Sequence, residues 1–291
     1  MLAGSPPTVT HVIPAETGVR ALASLDDHLY VVRNNRKQVE VYDAVTLTLA
    51  RRLPVSGISY TVSSIAACSR SKCLYLSDWD NTCIHRVDLK VQSSKERSDG
   101  NLGVVCTDAV KTWPVAEKPA GLSVTADHNI LVTCLTDKKL QEYTTDGRLV
   151  REICVPAGLD PPWHAIQLST GDYVISQYRS PGAVRVLGVD GHLLRSYPSS
   201  SLSDVGPMKY PRSVAVTKHG DILVADINNH RILTINSSLT RAQVFPVDIG
   251  LREPSAVYLD DSRDRLYIAE RSGKRRVIVM KNTSYISCLL F

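Results

Sequence analysis

Tyr210–Leu239 reads YPRSVAVTKHGDILVADINNHRILTINSSL, and its punctuation decides the fold. A proline opens the short apolar run SVAV, and His219-Gly220-Asp221 turns the chain into a second run, ILVAD. The polar loop INNH then leads to a third, RILTI. Runs of four or five residues rich in Val, Ile and Leu, bounded by Gly, Asp and Asn, predict β-strands. Five other stretches repeat the second and third runs. They are LYVVRNNRKQVEVYD from Leu29, LYLSDWDNTCIHRVD from Leu74, ILVTCLTDKKLQEYT from Ile130, YVISQYRSPGAVRVLG from Tyr173 and LYIAERSGKRRVIVMK from Leu266.

With Ile222 starting the second run of the quoted segment, successive starts are 45, 56, 43, 49 and 44 residues apart. A period of about 40 to 50 residues with several short strands per unit predicts propeller blades. Apolar positions alternate or run continuously, without the three-to-four spacing of helical repeats. First strands are expected at Val19–Leu25, Ser64–Cys68, Ala120–Thr125, His164–Leu168, Arg212–Thr217 and Ser255–Leu259. Outer strands such as LVREICV, LLRSYP and RAQVFPV complete most units, two of them after the hairpin-forming turns Asp146-Gly147 and Asp190-Gly191. Blade six lacks a clear fourth strand. THVIPAETGV resembles KTWPVAEKPAG, the outer strand and linker of blade two, so Thr10–Pro14 is expected to complete blade six and cover its open edge. The competing segment is the tail SYISCLLF. The expectation is therefore an all-β, six-bladed propeller of four-stranded antiparallel blades closed by an N-terminal strand. It forms a single domain over 1–291, with blades at 19–55, 64–115, 119–156, 163–198, 211–247 and 254–282 plus strand 10–14.

The chain has 291 residues, 43% of them hydrophobic but only 6% aromatic. Its core must therefore be built from Val, Ile, Leu and Ala, which favours strands. No basic segment followed by a long apolar run opens the sequence, and no run is long enough to cross a bilayer. Seven scattered cysteines, an odd number with no CxxC pair, suit a reducing compartment, so a cytoplasmic chain is expected and buried thiols rather than a zinc site. Asn236-Ser237-Ser238 and Asn282-Thr283-Ser284 match the glycosylation acceptor pattern, a short motif common by chance.

The run YPRSVAVTKHGDILVADINNHRI resembles the NHL repeat, and the whole chain is most similar to the C-terminal propellers of tripartite-motif ubiquitin ligases. The resemblance implies a recognition module without catalysis of its own, since no RING, B-box or coiled coil lies in this sequence. It further implies a polar pair inside each blade. Cys83 stands in the Arg231 slot of blade two and Cys134 in the Asp226 slot of blade three, which leaves those pairs without their usual partners.

In a propeller blade the loop between strands two and three shares a rim with the interblade linkers, where function is expected. Blades six and one are neighbours once the ring closes. Arg33, Arg36, Lys37, Arg271, Lys274, Arg275 and Arg276 then share one seam, a docking surface for phosphate or an acidic segment. The alternative is a merely solvated turn. Arg179, Tyr178 and Trp79 complete the expected partner-binding rim, with Tyr60, Trp163 and Tyr210 as further rim aromatics. The expected partner is a protein or single-stranded RNA, and the isolated domain is expected to be monomeric without membrane contact.

A metal-dependent propeller enzyme, lactonase-like or amidating-lyase-like, is the alternative. It would place Arg33, Asp78, Cys134, Gln177, Asp226 and Glu270, the ends of strand two, in the central channel. Asp78, Asp226 and Glu270 with His164 would then hold a hard metal. The competing expectation pairs Asp226 with Arg231 and Glu270 with a nearby arginine, and gives His164 hydrogen bonds to backbone. No ligand motif of those enzymes, phosphate-cradling glycine loop or nucleophile elbow is present. The expectation is that the chain is not an enzyme and has no metal, cofactor or catalytic residue.

Overall fold

The computed structural model describes residues 6–89, 110–198, 204–247, 249–281, 283 and 286. Asn282, Cys106, Cys288 and all of the tail SYISCLLF except Ile286 lie outside the described residues.

After β1 (Thr8–Pro14), the chain lays down six sheets in succession. Blade one is β2 (Val19–Leu25), β3 (His28–Arg33), β4 (Gln38–Asp43) and β5 (Leu49–Pro54). Blade two is β6 (Val62–Cys68), β7 (Cys73–Asp78), β8 (Cys83–Asp88) and β9 (Val110–Pro114). Blade three holds β10 (Pro119–Val124), β11 (Ile130–Cys134), β12 (Lys139–Tyr143) and β13 (Leu149–Cys154). Blade four holds β14 (Pro162–Gln167), β15 (Tyr173–Gln177), β16 (Ala183–Leu187) and β17 (Leu193–Tyr197). Blade five holds β18 (Pro211–Val216), β19 (Ile222–Asp226), β20 (Arg231–Ile235) and β21 (Ala242–Val244). Blade six has only β22 (Pro254–Asp260), β23 (Arg265–Glu270) and β24 (Arg276–Lys281) from its own repeat. Its fourth strand is β1, antiparallel to β24 from Thr8 opposite Lys281 to Pro14 opposite Arg276. The expected all-β, six-bladed ring closed at its N-terminus is the observed one.

Packing follows the composition. Second strands are buried apart from the first residues of β3 and β23, whereas outer strands such as β5 and β13 keep most side chains in water. Sheet faces press against the neighbouring blades through Val, Ile, Leu and Ala: Val39, Val41 and Leu53 of blade one meet Ile65, Leu74 and Leu76 of blade two. Ile13 of β1 is 3% exposed and joins Val277 and Val279 in the core between blades six and one. The closing strand is thus held by burial as well as by its ladder.

Candidate functional site

All six first strands break register at the same place. β2 shifts between Val19 and Ala21, β6 between Val62 and Ser64, β14 between Pro162 and His164, and β22 between Pro254 and Ala256. β10 and β18 shift just after Pro119 and Pro211. A bulge turns a side chain out of the ladder direction. Here it brings the second residue of each strand, Arg20, Ser63, Ala120, Trp163, Arg212 and Ser255, to the wall of the central channel. The cavity between the six strands has a volume of ≈ 280 Å³ and is mostly lined by Ala, Leu, Ile and Val. Its upper end is the face formed by the strand-two/three loops and the interblade linkers.

Most polar groups at this mouth tie one blade to the next. Ser63 Oγ donates to the Pro119 carbonyl, and Ser64 Oγ accepts from Leu122 N. Ser176 Oγ donates to the Arg212 carbonyl and Ser255 Oγ to that of Val19. His164 reaches both ways: Nε2 donates to the Leu122 carbonyl at 3.1 Å, and Nδ1 accepts from Val214 N at 3.2 Å. Burial presses its pKa below the ordinary imidazole value, against those two hydrogen bonds. A neutral ring with both nitrogens engaged staples blades three and five across blade four.

Arg212 is different. It is 4% exposed, and among the described residues its guanidinium has no hydrogen-bond or ion-pair partner; it stacks over Trp163, 4.7 Å from the ring centroid. Burial, then Arg271 and Arg20, push its pKa down to about 9. Arg20 donates to Asn34 Oδ1 and has its pKa lowered by burial and by Arg271, with Asp80 opposing. Three cations therefore crowd one mouth, with the Asp80 carboxylate close to Arg20.

Around this centre runs an aromatic belt. Trp79 stacks on Trp163 with centroids 6.0 Å apart, Trp163 meets Tyr178 at 4.5 Å, and Tyr178 meets Tyr210 at 5.0 Å. Lys118 Nζ lies over Trp79. All four rings are half-buried. Tyr210 is held in the left-handed region at φ 59, with its N–H on the Arg179 carbonyl. A non-glycine residue held there costs of order 1 kcal/mol, and twelve other described non-glycine residues adopt the same conformation.

The strand-two ends do not line the channel as expected, because strand one lies between them and it. Each instead binds a strand-three side chain of its own blade. Asp226 Oδ2 accepts from Arg231 Nε at 2.8 Å and Glu270 Oε2 from Arg276 Nε at 2.8 Å. Arg33 Nε donates to Glu40 at 2.6 Å, an inverted pair, and Arg185 donates to Gln177. Blade two supplies His85, two residues past Cys83, to Asp78, and blade three pairs Cys134 with Gln141. The expected loss of pairing in those two blades is thereby corrected. The proposed hard-metal set of Asp78, Asp226, Glu270 and His164 is scattered over four blades and does not assemble. Among the described residues, one metal-capable trio is close together, Asp78, Cys83 and His85. Asp78 there already accepts from Ser59 N, Asn81 N and Asn81 Nδ2, and burial, then Asp78, push the Cys83 thiol up to about 11.

The expected basic seam is thinner than its sequence. Arg33 and Arg276 are inside their blades, the latter also donating to the Ile249 and Gly250 carbonyls. Arg36 pairs with Glu16 at 3.0 Å and Arg275 donates to the Glu16 carbonyl. Lys37 lies over Tyr60 at 4.6 Å, and Arg179 pairs with Asp160. Arg271 and Lys274 are exposed. Sequence reasoning missed Arg20 and Arg212. The available signal was their shared register, second in a first strand, but nothing in one sequence marks that position as bulged.

The family comparison agrees with the quoted segment: residues 208–234 match the NHL repeat. No curated protein matches the chain. Among solved structures, a streptogramin B lyase superposes with a TM-score of 0.66 at 12% identity, covering 94% of this chain and 97% of that one. A virginiamycin B lyase from Staphylococcus aureus gives 0.64 at 11%, covering 94% and 99%. The hydrazine synthase of Kuenenia stuttgartiensis gives 0.64 at 12%, covering 94% and 98%. At such identities the likeness is one of fold. It corrects the expectation that this chain is not an enzyme, because the fold it shares is one that enzymes use. The specific likeness to tripartite-motif propellers finds no support among these matches.

Proposed function

We propose that the chain is a docking platform for a protein partner, which it engages through the aromatic and basic belt of its upper face. The observation that carries this reading is the continuous arc Trp79–Trp163–Tyr178–Tyr210 bordered by Arg212, Lys118 and Arg271. Half-buried Trp and Tyr beside Arg are the residues that dominate protein interfaces. Base stacking needs open ring faces. These faces lie against one another and against cations, which favours a protein over RNA. NHL-repeat propellers commonly serve such contacts, and free thiols at the five described cysteines suit a cytoplasmic setting.

A crosslinking pull-down with and without nuclease tests the reading, with Trp79→Ala and Tyr178→Ala run beside the wild type. A nuclease-resistant protein that both variants lose by at least tenfold, while they melt normally, supports it. Recovery that disappears with nuclease, or that neither variant weakens, sinks it. Incubating the wild type with the recovered partner and following the partner's mass tests for chemical turnover.

A further inference from the structure

We infer that the central channel is a binding site for a small amphiphilic carboxylate, its charged end on Arg212 and its apolar body between the first strands. The site goes beyond the docking reading: it shares Arg212 and Trp163 with that belt and adds the cavity behind them.

The cavity of ≈ 280 Å³ is nearly twice the roughly 150 Å³ that accommodates benzene in an engineered apolar site. Leu22, Ile65, Leu122, Ala215 and Val257 belong to its wall. Its serines are largely engaged: Ser63 and Ser255 donate to neighbouring backbone carbonyls, and Ser213 Oγ accepts from Val257 N. His164 is engaged at both nitrogens. Two wall groups are left over. Among the described residues, Ser123 Oγ is buried without a hydrogen-bond partner, and the Arg212 guanidinium has none either.

A largely enclosed cation that meets only the channel's solvent is costly, and here two further arginines raise the cost. An apolar cavity with one convergent charged group is the usual form of a small-molecule site. The guanidinium fork matches a carboxylate with two parallel N–H···O bonds, while Trp163 holds its plane from one side. A purely inorganic anion would satisfy Arg212 but leave the aliphatic walls unused. A cationic amphiphile would meet Arg20, Arg212 and Arg271.

The test is calorimetric titration of the intact purified chain with octanoate, against octylamine, 1-octanol and sodium sulfate at equal ionic strength. Octanoate should bind one per chain and quench tryptophan fluorescence through Trp163, and the other three should bind at least tenfold more weakly. Arg212→Gln should lose at least tenfold in octanoate affinity while melting no lower than the wild type. Arg212→Lys should fall between the two. Octylamine or 1-octanol binding as well as octanoate, sulfate matching it, retention by a folded Arg212→Gln, or no heat with octanoate would each overturn the inference. None of these outcomes bears on the docking reading, whose variants are Trp79 and Tyr178.

Discussion

His85 Nε2 lies 3.0 Å from Asp78 Oδ2 inside blade two, with the two residues 2% and 0% exposed. Burial alone would raise the Asp78 pKa. Hydrogen bonds from His85, Ser59 and Asn81 win and hold it well below the usual carboxylate range. A carboxylate whose folded pKa is depressed contributes stability that is full above its unfolded value and lost as pH falls towards the folded one. The wild type should therefore lose stability as pH drops below about 4. Asp78→Asn should be less stable at pH 7 by about 1 to 3 kcal/mol and show a flatter acid limb. Urea melts from pH 3 to 7 on both proteins provide the check; parallel limbs would show that Asp78 is not the group responsible.

In blade five, Asp226 takes hydrogen bonds from Arg231 Nε, Asn229 Nδ2 and Lys209 N. Asp226→Ala removes the common acceptor of all three and should cost about 1 to 3 kcal/mol, since it leaves partly buried donors unmet. Binding of a partner on the upper face should be unchanged once folded protein is compared. Chemical denaturation with a binding titration measures both, and lost binding in a fully folded variant would move Asp226 into the site.

Arg276 and Lys274 are two residues apart and opposite in role. Arg276→Ala strands Glu270, which is 0% exposed, and should destabilise the fold by about 3 to 5 kcal/mol. Lys274→Ala, on an exposed loop, should stay within about 0.5 kcal/mol of the wild type. Equal melting temperatures for the two variants would contradict the buried pair.

Deleting Met1–Pro14 removes β1 and uncovers the backbone groups of β24 along with the contacts of Ile13. Unpaired strand edges recruit other chains. The truncated protein should melt lower and elute partly as aggregate in size exclusion. A clean monomer with unchanged melting would mean that another segment takes the place of β1.

The architecture was legible because it is written six times. Asp226–Arg231 was legible too, from the turn INNH that brings strand three back beside strand two. What could not be read was direction. The strand-two ends looked like channel residues until the bulged first strands were seen to stand in front of them. Arg276 looked like its exposed neighbours Lys274 and Arg275, although it is the first residue of a buried strand and carries the charge Glu270 requires. His85 was passed over for Cys83 because the partner slot slides by two residues between blades, keeping the same face of the strand. Arg212 sat inside the quoted segment, and only its surroundings show that it lacks a carboxylate.

The pairing of β1 with β24 also fixes an order of events on the ribosome. The strand that closes the ring is made before the strands of all six repeats and its partner after them, with Thr8 pairing to Lys281. During synthesis β1 must wait unpaired while five complete blades form behind it, and blade six cannot be finished until β24 has emerged from the exit tunnel. Closure is then the most non-local step in the molecule, a slow kind of contact for a growing chain. A chaperone that shields Thr8–Pro14 in that interval would act on folding yield without touching the finished protein.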